Sequence, residues 1–314
     1  MENSPLVSFG VASYNNSKYV LQTLNSIKNQ TYKNFEIVIV DDCSVDNSID
    51  VINNWIKNNY NLKVSLVCNK RNNGICKVWN QLVLASNGEY ISIIASDDYY
   101  YPDKLAVQVP ILNSMPDIGM VTSPVSYVSE VGDIIEEKVY GAFCDYLNTS
   151  TKEEAYIEML KMNYVSTMGT LIRKKCFDKV GLYDETLAYE DWDMWIRIAK
   201  QFKIWFSPIV SAAYRRHDKS ISSTRAIQLM ESTIQLLNKQ RGNDDNVNKI
   251  IVNHTKEMSE FLYVNNSVHA KKWLKVRMSD LRDIRSVMLY TLSFLGVKGN
   301  VIQKTRAKLA KLKA

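Results

Sequence analysis

The stretch FEIVIVDD at residues 35–42 is an almost continuous apolar run that ends in two adjacent aspartates. A run of this length is typical of a strand, and the lack of polar alternation indicates a strand buried on both faces, as in a parallel sheet. The stretch YISIIASDD at residues 90–98 repeats the pattern. The two stretches therefore predict two inner strands of one sheet, each followed directly by carboxylates.

Alternating strands and helices surround these two stretches. A strand predicted at 6–12 is followed by apolar residues at helical spacing, and the alternation continues through a strand predicted at 63–68. Three consecutive strand-helix units predict a parallel sheet with right-handed crossovers. Because ligands of such sheets bind at the carboxyl ends of the strands, functional residues are expected just after each strand.

The pattern changes in the second part of the chain. Two strand-like runs, 118–128 and 134–140, flank a turn at Gly132 and predict a hairpin. Several further short strands and helices follow, and from Ser223 onward the spacing of apolar residues is that of helices. We therefore predict an α/β domain over 1–222, with a smaller mixed sheet in its second half, and a helical extension over 223–314.

Length and composition narrow the class of protein. The chain has 314 residues, of which 46% are apolar and 23% are charged, values that disfavour wholesale disorder and fibrous repeats. No secretory signal is visible, and the longest apolar run, 287–295, is about half the length that a membrane-spanning helix needs. Five scattered cysteines without a C-x-x-C pair predict reduced thiols in a cytoplasmic protein.

The positive charge is concentrated near the C-terminus. Residues 1–238 hold 23 Lys and Arg against 27 Asp and Glu, whereas residues 239–314 hold 16 against 6. The basic region carries an apolar stripe formed by Leu281, Ile284, Met288, Leu292 and Leu295. Such a helix suits an anionic membrane surface, and a helix packed on the α/β domain would show the same stripe. A nucleic-acid partner is not expected, because residues 1–238 are acidic and the basic region lacks a zinc or RNA-binding motif.

Two carboxylate pairs, Asp41 with Asp42 and Asp97 with Asp98, follow strands whose ends meet at one edge of the predicted sheet. Such pairs repel each other unless a cation or hydrogen-bond donors lie nearby. A divalent cation with oxygen ligands, which usually also holds phosphates, is favoured over the alternative that both pairs are only helix caps and turn formers. No glycine-rich phosphate loop follows any strand, which disfavours dinucleotide redox chemistry and nucleotide triphosphate hydrolysis.

Five motifs in order resemble the family 2 inverting glycosyltransferases with the GT-A fold. They are VSFGVASYNNSKYV, SIKNQTYKNFEIVIVDDCSVDNS, NNGICKVWNQLVLASNGEYISIIASDDYYYPDKL, KVGLYDETLAYEDWDMWIRIAK and YRRHDKSIS. The resemblance covers roughly residues 5–222. It implies a Rossmann-like nucleotide-binding sheet over 1–117, an acceptor and catalytic-base half over 118–222, and the helical C-terminal extension outside the resemblance.

The resemblance also implies roles for residues on the donor side. Ser13 and Tyr14 are expected to line the base pocket, and Asp42 to accept a hydrogen bond from the imide N–H of uracil. Lys77 corresponds only approximately to a basic residue found in the third helix of many members. These four residues form the expected pocket for a nucleotide diphosphate sugar.

A metal site is implied next to that pocket. Asp97 and Asp98 match the family's metal and ribose carboxylates, which hold Mn²⁺ or Mg²⁺ against the diphosphate, and His217 matches a histidine that reaches the diphosphate or the metal. The chain departs from the family at Ala95, where many members have an acidic residue. On this basis metal binding is expected to fall mainly on Asp98.

The catalytic base is expected at the start of the tryptophan-rich helix. The resemblance implies that Asp191, with Glu190 beside it, takes the proton of the acceptor hydroxyl, as inversion requires. Acidic residues are also favoured in the first turn of a helix by the helix dipole, which explains their presence without a catalytic role. Trp195 is expected in the core, and Trp192 fits either the core or a sugar-binding surface.

The function implied is a metal-dependent hexosyltransferase of bacterial surface-polysaccharide biosynthesis. It would move a sugar, most simply from a UDP-sugar, to a hydroxyl of a glycan or lipid-linked acceptor, in the cytoplasm and at the inner face of the membrane. Two alternatives remain. A nucleotidyltransferase would need a glycine-rich, lysine-bearing loop after the first strand, which is missing; a nucleotide-sugar-binding protein without transferase activity would share the donor pocket.

Overall fold

The computed structural model describes residues 4–217 and 225–301. The chain divides into two compact units, Met1–Asp218 and Lys219–Ala314. The domain boundary predicted between residues 222 and 223 lies outside the described residues, as does the DKSIS part of the last motif.

The first unit contains a large and a small sheet. In chain order the strands are β1 (Val7–Ser13), β2 (Phe35–Asp41), β3 (Val64–Cys68), β4 (Tyr90–Ala95), β5 (Tyr99–Tyr100), β6 (Ile118–Thr122), β7 (Val125–Val128), β8 (Ile134–Val139), β9 (Leu171–Arg173), β10 (Lys203–Phe206) and β11 (Ala212–Arg215). The large sheet has the order β10-β6-β9-β4-β1-β2-β3 and the small sheet the order β5-β11-β7-β8. Strands β1 to β4 are mutually parallel, as predicted, so their carboxyl ends share one edge.

Helices connect these strands. They are α1 (Val20–Lys28), α2 (Ser48–Asn58), α3 (Ile75–Ala85), α4 (Lys104–Ser114), α5 (Lys152–Lys161), α6 (Cys176–Val180) and α7 (Asp191–Gln201). The predicted helical spacing is confirmed in α1, which buries Val20, Leu24 and Ile27. These side chains join Phe9 and Ile37 from β1 and β2 in one apolar core.

The predicted hairpin is shorter than expected. The run 118–128 does not form one strand, because it is divided at Pro124 between β6 in the large sheet and β7 in the small sheet. Proline has no N–H to donate to a sheet ladder, so it favours such a break. Of the two strands in this run, β7 pairs with β8 in antiparallel fashion, whereas β6 belongs to the large sheet.

The second unit is helical. Its helices are α8 (Ala226–Asn238), α9 (Asp245–Val264), α10 (Ala270–Leu281) and α11 (Ile284–Phe294). They enclose a core of their own that includes Leu262, Trp273, Leu274 and Leu289. None of the described helices combines the length and the apolar character needed to cross a membrane.

Candidate active site

Serine hydroxyls hold the carboxylate at the end of β2. Asp41 is fully buried and accepts hydrogen bonds from Ser13 Oγ at 2.9 Å and from the Ser44 backbone N–H at 2.8 Å. Ser44 Oγ adds a third bond at 2.6 Å. These donors offset the repulsion expected between Asp41 and Asp42. The Ser13 hydroxyl therefore points inward, whereas the neighbouring Tyr14 is 45% exposed at the same edge of the sheet.

Asp42 fastens the loop that leads into α3. Its carboxylate accepts hydrogen bonds from the backbone N–H of Asn73 at 2.9 Å, from that of Gly74 at 3.0 Å, and from Asn69 Nδ2 at 2.8 Å. Gly74 has φ of +88°, a conformation that other residues rarely adopt, directly before α3 begins. Lys77 follows in the first turn of α3 and is half-buried. The predicted base-reading residue is therefore also the anchor of this loop.

The two aspartates after β4 have different surroundings. Asp97 Oδ2 lies 2.9 Å from His217 Nε2, and its side chain is 20% exposed. Asp98 is buried, and its Oδ1 accepts the backbone N–H of Arg215 at 2.8 Å. Burial raises the pKa of Asp98 well above its ordinary range, and the charge of Asp97 contributes to the rise. Asp98 thus joins β11 to the end of β4, while Asp97 faces the histidine.

His217 is held in place from two sides. The hydrogen bond to Asp97 raises the pKa of its imidazole. Its ring stacks on Tyr19 with 5.6 Å between the ring centroids. The Asp97–His217 pair is therefore a fixed arrangement of one carboxylate and one imidazole.

Arg215 was not singled out by the sequence, yet its side chain donates hydrogen bonds to three other segments, one of them at Asp97. Its Nε donates to Asp97 O at 2.9 Å, Nη1 to Glu130 O at 2.9 Å, and Nη2 to Gln22 Oε1 at 2.7 Å. The side chain is almost fully buried. The only sequence signal was its place two residues before His217 in the motif YRRHDKSIS.

The residues present can accommodate a divalent cation if the diphosphate supplies further ligands. Among residues 4–217 and 225–301, no group of three or more His, Cys, Asp or Glu side chains is placed to hold a metal. Mg²⁺ is usually bound by one or two carboxylates together with substrate phosphates, and imidazole is a further ligand for transition ions. Asp97 with His217 meets this requirement. Asp98, on which the sequence analysis placed most of the metal binding, is buried and accepts the Arg215 N–H through Oδ1; its role as a metal ligand stays a prediction.

Asp191 begins α7 with its carboxylate bound by neighbouring donors. Its Oδ2 accepts hydrogen bonds from Asn163 Nδ2 at 3.0 Å and from Thr167 Oγ1 at 3.3 Å, and its Oδ1 accepts the Trp192 N–H at 2.6 Å. Burial raises the pKa of Asp191, and the hydrogen bond from Asn163 opposes that rise. Burial also raises the pKa of the adjacent Glu190, with the charge of Asp191 as a second cause. A raised pKa makes a carboxylate a stronger base.

The segment that precedes Asp191 is attached to α3. Asn80 donates to Tyr183 O at 3.0 Å and accepts the Tyr183 N–H at 2.8 Å, and Cys76 Sγ lies 3.4 Å from Leu187 O. Helix α3, which follows the loop bound by Asp42, therefore also holds the segment that leads into α7.

The two tryptophans of α7 are both buried. Trp195 is fully buried, as expected, and Trp192 is 9% exposed and donates its Nε1–H to Met159 O at 2.6 Å. The open choice for Trp192 is thus decided in favour of the core.

A buried lysine supports the turn opposite Asp191. Lys104 is 2% exposed, and its Nζ donates to Met168 O at 3.1 Å, to Thr170 O at 3.0 Å and to Gln108 Oε1 at 3.0 Å. Burial lowers the pKa of this amine well below its ordinary value. Lys104 thereby holds the 167–170 turn, which presents Thr167 to Asp191.

The chain is similar to known glycosyltransferases. The family model described as glycosyl transferase family 2 matches residues 8–181. An uncharacterized glycosyltransferase of Rickettsia typhi is 31% identical over 73% of this chain and 69% of its own length. The Escherichia coli protein WfaP, named as a UDP-Glc:α-D-GlcNAc-diphosphoundecaprenol β-1,3-glucosyltransferase, is 29% identical over 73% of this chain and 84% of its own length.

Solved structures share the fold at low sequence identity. The mannosyltransferase PcManGT from Pyrobaculum calidifontis, in complex with GDP-Man and Mn²⁺, has a TM-score of 0.62 and 18% identity, covering 94% of this chain and 81% of that one. TarS from S. aureus, in complex with UDP-GlcNAc, has a TM-score of 0.64 and 16% identity, covering 90% of this chain and 83% of that one.

Proposed function

Since this chain belongs to glycosyl transferase family 2 and has the GT-A fold, we propose that it is an inverting glycosyltransferase that uses a UDP-sugar and a hydroxyl of a glycan or lipid-linked acceptor. The observation that carries the proposal is the Asp191 carboxylate, fixed by Asn163 in the same unit as the Asp97–His217 pair. The Asp97–His217 pair suits a diphosphate and its cation, and the Asp191 carboxylate suits proton removal from an acceptor.

The donor pocket is proposed at the ends of β1 and β2. Ser13, Tyr14 and Asp42 lie at the carboxyl edge of the parallel sheet, where ligands of such sheets bind. Asp42 reads the uracil imide N–H in this proposal while also holding the Asn73 loop. Lys77, in the first turn of α3, is proposed to attract the diphosphate. The choice of uridine rests on the UDP-Glc in the name of WfaP and the UDP-GlcNAc bound to TarS.

The cation is proposed to be Mn²⁺ or Mg²⁺ held by Asp97 and His217. When bound, a divalent cation offsets the negative charge that develops on the leaving diphosphate. Arg215 keeps the protein ligands in place through its bond to the Asp97 carbonyl. The Mn²⁺ in the PcManGT complex supports a metal of this kind.

Asp191 is proposed as the general base. In the displacement, the acceptor oxygen forms a bond to the anomeric carbon on the face opposite the diphosphate, and the bond from that carbon to the diphosphate oxygen breaks. The acceptor proton passes to the Asp191 carboxylate. Asn163 and Thr167 orient the carboxylate for this transfer, and Glu190 is the second carboxylate of the site.

The proposed setting is surface-polysaccharide biosynthesis in the cytoplasm, at the inner face of the membrane. The diphosphoundecaprenol acceptor in the name of WfaP supports a lipid-linked acceptor for this chain. The basic C-terminal extension, with 16 Lys and Arg against 6 Asp and Glu in residues 239–314, is proposed to meet an anionic membrane.

A donor screen tests this proposal. The full chain is heated with each of a panel of nucleotide sugars, with and without Mn²⁺, and hydrolysis of each donor is measured alongside. A ligand at 100 times its dissociation constant adds about 2.7 kcal/mol to the free energy of unfolding, so a UDP-sugar is expected to raise the melting temperature. Stabilisation by nucleotide sugars without any hydrolysis or transfer would leave only the binding-protein alternative, and no stabilisation by any of them would contradict the proposal.

A further inference from the structure

The outward face of α11 is apolar. Ile284 is 90% exposed, Leu295, just after the helix, 70% and Phe294 65%, and Val287 and Met288 are each exposed by more than two fifths. The opposite face of the same helix buries Ser286 and Leu289 in the second unit. A helix on the surface of a globular protein normally shows the reverse arrangement. An apolar face of this kind indicates a binding surface.

Positive side chains flank this face at both ends. Arg282 and Arg285 stand at the beginning of α11, and Lys298 follows its end; all three are exposed. Lys271, from the first turn of α10, places its Nζ 4.2 Å from the centre of the Phe294 ring. The face therefore combines an apolar centre with cations on its border.

The acidic groups near this face are already engaged. Asp283 caps α11 by accepting the Ser286 N–H at 2.6 Å, and Asp280 pairs with Arg241 at 2.6 Å. Glu260 pairs with Arg277 and Arg285. Arg285 and Glu260 offset each other, so the border still carries Arg282, Lys271 and Lys298 against Asp283 and is positive.

We propose that α11 is the element that docks on an anionic phospholipid surface, with Ile284, Met288 and Leu295 among the acyl chains and the flanking cations on lipid phosphates. The use of such docking rests on the proposed function, because a lipid-linked acceptor is presented at a membrane. The chemistry favours lipid over the other partners. Nucleic acid offers no apolar phase to the centre of the face, and a second copy would bring two cationic borders together.

Vesicle co-sedimentation of the full chain tests this inference. The probes are vesicles of phosphatidylcholine mixed with phosphatidylglycerol and vesicles of phosphatidylcholine alone. The double variant Ile284→Glu with Leu295→Glu is compared with Tyr60→Glu, which adds a charge at a residue that is 89% exposed in the first unit. Melting curves establish that each variant is folded.

The wild-type chain and Tyr60→Glu are expected to sediment with the anionic vesicles and much less with the neutral ones. The double variant is expected to lose binding by about tenfold or more, since two inserted apolar groups become charges that the surface repels. A second double variant, Lys271→Gln with Lys298→Gln, is expected to bind the anionic vesicles more weakly than the wild type. Its binding is also expected to fall less as the salt concentration rises.

Several results would overturn the inference. The first is no vesicle binding by the wild type, and the second is equal binding by the Ile284→Glu, Leu295→Glu variant. A dimer that this variant dissociates would identify the face as a contact between copies, and binding to duplex DNA without binding to vesicles would identify nucleic acid. Donor hydrolysis, measured on the same samples, keeps the two proposals separate: vesicle binding through α11 without hydrolysis supports the docking and contradicts the proposed function.

Discussion

Asp97 and Asp98 are adjacent in sequence but differ in burial and in hydrogen-bond partners. Asp97 is partly exposed and 2.9 Å from His217, whereas Asp98 is buried and accepts the Arg215 N–H at 2.8 Å. Each carboxylate has one oxygen in a hydrogen bond, but only the Asp97 side chain is paired with an imidazole and partly exposed. At the scale of the residue, the proposal that the cation binds at Asp97 rests on this difference in surroundings.

The first prediction separates the two aspartates. Asp97→Asn is expected to abolish the Mn²⁺-dependent part of UDP-sugar binding in calorimetry and to leave the melting temperature nearly unchanged. Asp98→Ala is expected to lower the free energy of unfolding by about 1–3 kcal/mol, because the buried Arg215 N–H loses its acceptor. If Asp98→Ala instead removed the metal dependence from a stable protein while Asp97→Asn kept it, the cation would belong to Asp98.

The second prediction concerns the pH dependence of transfer. Burial raises the pKa of Asp191, and the Asn163 hydrogen bond partly opposes this. A base acts in its deprotonated form, so the rate is expected to rise as the pH rises through that pKa, at a higher pH than for an ordinary aspartate. Loss of the Asn163 donor raises the pKa further. Asn163→Ala is therefore expected to move the acidic limb of kcat/KM to higher pH.

The control for this prediction is Asn148→Ala. Asn148 also uses its amide in hydrogen bonds, but with the backbone of Phe206. Its variant is expected to leave the acidic limb where it is. An unchanged limb in Asn163→Ala, or the same shift in both variants, would show that Asn163 does not tune the base.

At the scale of the element, α3 and α4 set the site although they contribute few of its exposed groups. Asn80 on α3 fixes the backbone of Tyr183 before α7, and Lys104 on α4 holds the 167–170 turn. Both contacts link segments that are far apart in sequence. The geometry around Asp191 thus depends on the helices that pack on the central sheet.

The third prediction tests the buried amine. The pKa of Lys104 is lowered in the folded chain, so the unfolded chain binds a proton that the folded chain does not, at pH values between that lowered pKa and about 10.4. Through this group the free energy of unfolding is expected to rise with pH across that window. Lys104→Met removes the titrating group, so the stability difference between wild type and variant should change with pH in this direction.

Chemical denaturation at several pH values measures this difference. Lys28→Met serves as the control, because Lys28 is an exposed lysine in the last turn of α1. If the stability difference for Lys104→Met is independent of pH, Lys104 is not a buried titrating group. The same variant is expected to lower transfer, since the 167–170 turn presents Thr167 to Asp191.

At the scale of the whole molecule, the features that the sequence predicted are those that the local spacing of apolar residues encodes. The strand-helix units up to β4 followed from apolar runs that are complete within a few residues, and the position of Asp191 followed from the start of α7. Contacts between distant segments carry no such local signal. Two hydrogen bonds show this, since each depends on which segments the fold brings together. One runs from Asn163 to the Asp191 carboxylate, and the other from Arg215 to the Asp97 carbonyl.

In the proposed mechanism Asp191 removes the acceptor proton. A carboxamide cannot take that proton, so Asp191→Asn is expected to lower the transfer rate by about 10²–10⁴-fold. Donor affinity should barely change, because the proposed donor residues Ser13 and Asp42 lie at the strand ends. Glu190→Gln, measured beside it, is the matched neighbour and is expected to lose less.

The decisive measurement is therefore the transfer rate together with the donor dissociation constant for wild type, Asp191→Asn and Glu190→Gln. If Asp191 is the base, the rate falls by a large factor in Asp191→Asn at unchanged donor affinity. A wild-type rate in Asp191→Asn with a large loss in Glu190→Gln would give the role to Glu190, and full activity of both variants would contradict the mechanism.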